Sequence, residues 1–282
     1  TSLSKAYSLI SRFSEDIDVT VFRDDLGHPA SPAKLAALSN KKRKATLDAI
    51  AEDCRTYVTT GMLASVSELL HEDTEGEGRV QVDETDPSGQ TLLVRYPRVD
   101  ASDTGYVQAA IKIESGAKSA LDPNKPMTIT PYIAEDVATL DLAVSGVTTI
   151  DAERTFWDKI VIAHGLRNWF DRRGELKQDG QRISRHYYDL HCMLPTDVGS
   201  NAMADLALGA DCIEHAKTFF NRPDFNLATA VPGSFALLPS VDMVDRLAGD
   251  YENTKAMIFG DAPKFDVILH SIAEIEGALN SE

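Results

Sequence analysis

Between residues 16 and 22 the chain alternates strictly. Ile17, Val19 and Val21 fall on one side, and Asp16, Asp18, Thr20 and Phe22 on the other, which is the period of a strand with one covered face. Residues 1–11 ahead of it read as a helix. Beyond Pro29 and Pro32 the spacing becomes helical to about residue 70, with Ser31 placed to cap it and breaks expected at Ser39-Asn40 and at Gly61. Residues 71–78 are acidic and turn-like. The period then shortens again. Residues 79–82, 91–96, 106–114 and 127–132 read as strands, separated by the turns Asp86-Pro87-Ser88-Gly89, Asp103-Thr104-Gly105 and Asp122-Pro123-Asn124-Lys125-Pro126. Residues 140–150 hold one or two more. From Asp151 onward helical periodicity dominates, over about 151–171, 181–194, 198–220, 239–258 and 264–280, with loops at 172–181 and 221–234. The pattern predicts a mixed α/β (α+β) protein: a mixed-sheet core in residues 1–150 and a helical region in 151–282 that completes the site.

Length and composition narrow this picture. The chain has 282 residues, 43% of them apolar and 26% charged, as in ordinary globular proteins. No run approaches the ~18 apolar residues a membrane span needs, and no signal peptide is visible. Cys54, Cys192 and Cys212 are odd in number and without a Cys-x-x-Cys pair, which suits a reducing cytoplasm better than a disulfide or zinc framework. The net charge of −16 opposes indiscriminate nucleic-acid binding but leaves room for local contact with an RNA end. Basic residues gather in two knots. One is Lys41-Lys42-Arg43-Lys44, and the other is Arg167, Arg172, Arg173, Lys177, Arg182 and Arg185.

Candidate chemistry begins with Asp16 and Asp18. At i and i+2 of a strand their carboxylates share a face and can hold hard divalent cations, or simply face water. Lys112 and Glu114 share a face of the strand at 106–114 in the same way. If that strand lies beside the first, Glu114 becomes a third carboxylate, as a two-metal phosphoryl-transfer site requires; a surface Lys/Glu pair is the alternative. Residues 152–170 are apolar nearly all round, with Lys159 in their midst. A buried ammonium needs an anion, either a protein carboxylate or a triphosphate, unless it snorkels to the surface. In the next helix Arg185 and Asp189 stand one turn apart and can pair, or Asp189 can answer Lys159. His164, His186 and His191 fit no zinc spacing, and Cys192 has no evident base partner.

Taken together, these segments resemble the AbiEii-type toxins of the DNA polymerase β-like nucleotidyltransferase superfamily. Thr1-Ser2-Leu3-Ser4-Lys5 with Arg12-Phe13-Ser14-Glu15-Asp16-Ile17-Asp18-Val19 resembles the opening motif without its leading glycines, so the native N-terminus is expected to lie upstream. Lys112-Ile113-Glu114 resembles the second motif. Glu153-Arg154-Thr155-Phe156-Trp157-Asp158-Lys159 resembles the third, and Arg185-His186-Tyr187-Tyr188-Asp189-Leu190 the fourth. The resemblance implies Ser2, helped by Lys5, at the nucleotide phosphates, Asp16 and Asp18 on metal, Lys159 on the triphosphate and Asp189 as an essential acid. Glu114 is the third metal ligand and a candidate base, and Lys112 and Arg185 join the nucleotide-binding set. The implied reaction moves an NMP from an NTP to an acceptor hydroxyl with Mg²⁺ or Mn²⁺, in a cytoplasmic toxin paired with an antitoxin. The expected acceptor is a tRNA 3′ end. NMP transfer to a protein hydroxyl and a silent, partner-binding role are the alternatives.

Overall fold

The computed structural model describes residues 2–14, 16–29, 31–97, 110–120, 122–137, 139–177 and 182–281. The expected strand at 106–109, the Asp103-Thr104-Gly105 turn and the start of the helix at residue 181 lie outside them. The chain forms two compact units, one of residues 14–121 and one of residues 2–13 with 122–282.

The chain opens with one helical turn, α1 (Ser2–Lys5), in place of the helix expected over residues 1–11. Ser8 adopts a left-handed φ of 53°, and the Leu9 N–H returns to the Leu3 carbonyl at 2.8 Å. That six-residue closure ends the helix before periodicity could continue it.

In the unit of residues 14–121, β1 (Asp16–Thr20) is followed by α2 (Pro32–Ala36) and α3 (Asn40–Tyr57). Ser31 and Ser39 cap the two helices, accepting from the Lys34 and Lys42 amides, so the expected break at Ser39-Asn40 is a second helix start. The expected disturbance at Gly61 is a π-helical turn, Val58–Met62, leading into α4 (Leu63–Asp73). Strands β2 (Arg79–Val82), β3 (Thr91–Arg95) and β4 (Ala110–Gly116) complete a mixed four-stranded sheet of order β1-β4-β3-β2. The β1–β4 pair is parallel and the other two pairs are antiparallel. Val21, Leu92, Val80, Val82 and Ile113 pack with Ile50, Cys54 and Val58 of the helices into one core. Alternation therefore turns Asp16, Asp18, Lys112 and Glu114 to the opposite face of the sheet.

In the second unit β5 (Asn124–Ile129) and β6 (Val144–Ile150) form an antiparallel ribbon. β5 ends earlier than its apolar pattern predicted, because residues 132–135 turn into a 3₁₀ helix after Pro131. α5 (Ala152–Arg173) is the central helix, and Gly174 closes it in the left-handed conformation. Around it come α6 (Ser184–Met193), α7 (Asp197–Ala204), α8 (Leu206–Phe219), α9 (Val241–Lys255) and α10 (Phe265–Asn280). The single helix expected over 198–220 is two, because Asp205 leaves helical geometry and caps α8 through the Leu208 amide. α8 approaches α5 closely at Gly209, where a Cβ would lie 2.6 Å from the Trp157 ring. One apolar core, including Phe156, Trp157, Ile160, Tyr187, Leu190, Met193, Leu247 and Ile272, unites these helices. Among the described residues no helix is long and apolar enough to cross a membrane.

Candidate functional site

The sheet unit presents an acidic face. In the parallel register Asp16 stands opposite Lys112, and Asp18 opposite Glu114. The condition for a third carboxylate beside the first two is thus met by direct strand pairing. Burial, then the charge of Asp16 and also that of Asp18, raise the Glu114 carboxyl, against the opposing pull of Lys112. Lys112 lies 3.7 Å from Glu114 and 3.3 Å from Asp83. Burial acts against its charge, but Asp83, Glu114 and Asp16 together raise its pKa. Among the described residues no three His, Cys, Asp or Glu side chains are gathered closely enough to hold a metal ion. The acids share a face without converging on one point.

Asp83 was not anticipated. It follows β2, is 4% exposed, and accepts from the amide and hydroxyl of Thr85. The Thr85 hydroxyl first, with Lys112 in support, holds its carboxyl below the usual range. An Asp-x-Thr turn after a strand was readable; its reach to Lys112 was not.

The helical unit holds the opposite balance. Lys159 on α5 does not snorkel outward. Its Nζ lies 2.7 Å from Asp189 Oδ2 on α6, with the two side chains 11% and 0% exposed. Arg12 meets the same carboxylate with both arms of its guanidinium, Nε to Oδ1 at 2.8 Å and Nη2 to Oδ2 at 2.9 Å. Burial alone would push the Asp189 carboxyl up; Lys159 and Arg12 outweigh it and hold it at about 2. The pairing expected between Arg185 and Asp189 is replaced by these two contacts from other elements. His186 is held neutral, its pKa well below the usual value through burial and the charges of Lys159 and Arg185. Its Nδ1 is enclosed without a hydrogen-bond partner among the described residues.

The other candidates are dispersed. Lys5 lies over the Tyr132 ring at 5.7 Å, and Ser2 is half-buried on α1. Asp158, next to Lys159 in sequence, faces a separate cluster where burial pushes it up to about 6, against Arg154 and Cys212. His164 accepts from the Ala236 amide and His191 bonds Ser271, so both serve packing. Burial raises the Cys192 thiol, which removes it as a thiolate near neutrality. The second basic knot is largely engaged: Arg167 pairs with Asp171, and Arg172 and Arg173 with Asp224. In the first knot Lys41 and Lys42 are exposed at the start of α3, while Arg43 bonds Asn40 and Lys44 bonds Asp48.

Residues 1–271 match the family model described as "Nucleotidyl transferase AbiEii toxin, Type IV TA system", and the chain belongs to that family. Membership implies nucleotidyl transfer, a nucleotide substrate and an antitoxin partner. No curated protein and no solved structure matches the chain.

Proposed function

We propose that this toxin moves an NMP from an NTP to an acceptor hydroxyl, releasing pyrophosphate. The observation that carries the reading is the in-register pairing of Asp16 and Asp18 with Lys112 and Glu114 on one sheet face. Carboxylates carried on one sheet face, with the Glu114 carboxyl raised by burial and by the charges of Asp16 and Asp18, are the donor type a hard divalent cation such as Mg²⁺ or Mn²⁺ takes. Asp16, Asp18 and Glu114 would hold it, and it would supply Lewis-acid stabilisation of phosphoryl oxygens. Lys112, tied to Asp83, limits repulsion among these acids and offers an ammonium to phosphate.

In the helical unit Lys159 supplies positive charge for the triphosphate, with Ser2, Lys5 and Arg185 as further nucleotide contacts. Two cations share the single carboxylate of Asp189, so a positive charge is left over in a nearly closed environment, where an anion gains most. By family likeness residues 1–150 are assigned as the nucleotidyltransferase core and 151–282 as the helical region that carries Lys159 and Asp189, in a cytoplasmic protein.

The proposed acceptor is RNA, a tRNA 3′ end by family likeness. A chain of net charge −16 needs a local basic surface for that, and the exposed Lys41-Lys42 pair is better placed for phosphate than the internally paired Arg172 and Arg173. The test incubates the full-length protein with each α-labelled NTP, Mg²⁺ and total RNA. Label in tRNA supports the reading, label in a protein band replaces it with protein NMPylation, and no label with any NTP leaves a silent binder.

A further inference from the structure

We propose that Arg12 is a positioning residue for nucleotidyl transfer: its guanidinium clamps Asp189 as a permanent anion, and that anion fixes the Lys159 ammonium. The inference rests on the reading of Lys159 as a triphosphate contact.

The carboxylate of Asp189 is saturated by cations. Oδ1 accepts from Arg12 Nε, and Oδ2 accepts from Arg12 Nη2 at 2.9 Å and stands 2.7 Å from Lys159 Nζ. Such a two-armed contact is open to a planar guanidinium and closed to an ammonium. Arg12 is itself held in place. Its neighbours bond the 257–259 segment, Phe13 N–H to the Met257 carbonyl and Phe259 N–H to the Ser11 carbonyl, and the Tyr132 hydroxyl donates to the Arg12 carbonyl. Its Nη1 also reaches the Phe13 carbonyl.

The arrangement limits what Asp189 can do. An acid held at about 2 is far too weak a base to take a proton effectively near neutral pH. What it does is orient. With one carboxylate bond made, Lys159 has two further N–H donors, for which the described residues show no partner. An ammonium aimed in advance at a developing charge needs no reorganisation when the reaction occurs. The other titratable groups against the cluster are His186, Tyr188 and Cys192 on α6 and Tyr132. His186 is held neutral, and burial raises the Tyr188 phenol and the Cys192 thiol. None of these three offers a substitute anion, and the Tyr132 hydroxyl is committed as a donor to the Arg12 carbonyl.

The test compares wild type, R12Q and R12K as full chains, with thermal unfolding measured alongside. R12Q is expected to lower kcat/KM for the NTP by about 100-fold, with a raised KM, as for loss of one preorganised element. Its acid limb should move to higher pH as Asp189 loses a cation, and R12K should recover about tenfold by restoring charge without the fork. Equal losses in R12Q and R12K, with KM and acid limb unmoved, would make Arg12 a structural residue only and overturn the proposal. If wild type transfers from no NTP, the nucleotidyl-transfer reading fails by itself. The Asp189 ¹³Cγ titration then decides the clamp: a midpoint that rises in R12Q supports it, and one that stays put overturns it.

Discussion

The acid face of residues 14–121 and the cation cluster of the helical unit are charged in opposite senses, and they tolerate imbalance for different reasons. Asp16, Asp18 and Glu114 outnumber Lys112, yet Glu114 and Lys112 are 45% and 36% exposed. Water screens such repulsion to about 1 kcal/mol at 4 Å. Arg12 and Lys159 outnumber Asp189, but these side chains are 4%, 11% and 0% exposed. A buried charge left unpaired costs several kcal/mol. The acid face can therefore lose a carboxylate without harm to folding, whereas the cation cluster cannot lose the Asp189 carboxylate.

The largest expected effect is on activity. Asn at both Asp16 and Asp18 should lower metal-dependent transfer by roughly 10³-fold or more, about 4 kcal/mol of transition-state stabilisation, with the melting temperature nearly unchanged. Undiminished labelling by the double variant would remove the acid face from the mechanism.

The next concerns stability. D189N strands two buried cations and should cost about 3–5 kcal/mol in urea unfolding. E114Q relieves repulsion on an exposed face and should stay within about 0.5 kcal/mol of wild type. Comparable losses in the two variants would break the contrast drawn between the regions.

A pH series sharpens it further. His186 is neutral in the folded protein, while the unfolded chain takes up a proton below about pH 6.5. The unfolded state thus binds more protons, and stability falls as pH drops below that point, by up to about 1.4 kcal/mol per pH unit. H186Q should lack this slope. Asp158, raised to about 6, acts in the opposite direction but is common to both proteins and cancels in the difference. The Asp189 contribution has the other sign again: it is complete above its ordinary value of 3.8 and is lost as pH falls through about 2. Parallel wild-type and H186Q curves between pH 6.5 and 4.5 would show that His186 protonates freely in the fold.

The smallest effect separates the basic knots. K41Q/K42Q should flatten the log–log salt dependence of tRNA binding by roughly 0.7–0.9 per lost phosphate contact, and R172Q/R173Q should change it much less, because Asp224 already engages those guanidiniums. The reverse ranking would place the RNA surface on the 167–185 knot instead.

Much of the fold was legible because its signals are local. Period-2 alternation found β1 and β2 and the polar side of β4, Ser31 announced its helix, and the breaks read at Ser39-Asn40 and Gly61 mark a second helix start and the π turn. Where local pattern failed, a single backbone event intervened: the left-handed Ser8 shortened α1, and Asp205 divided the helix at 198–220. The acids of the site were readable as one face of each strand, because side-chain direction follows from position alone.

What the sequence by itself determined is therefore most of the elements, the faces on which Asp16, Asp18, Lys112 and Glu114 lie, and the apolar helix that carries Lys159. Tertiary structure decided which strands pair, that Asp83 reaches Lys112, and that Asp189 answers Lys159 and Arg12 instead of Arg185. The physical reason is range. Alternation and capping act over two to four residues, whereas Arg12 and Asp189 are 177 residues apart and meet only because packing closes around both.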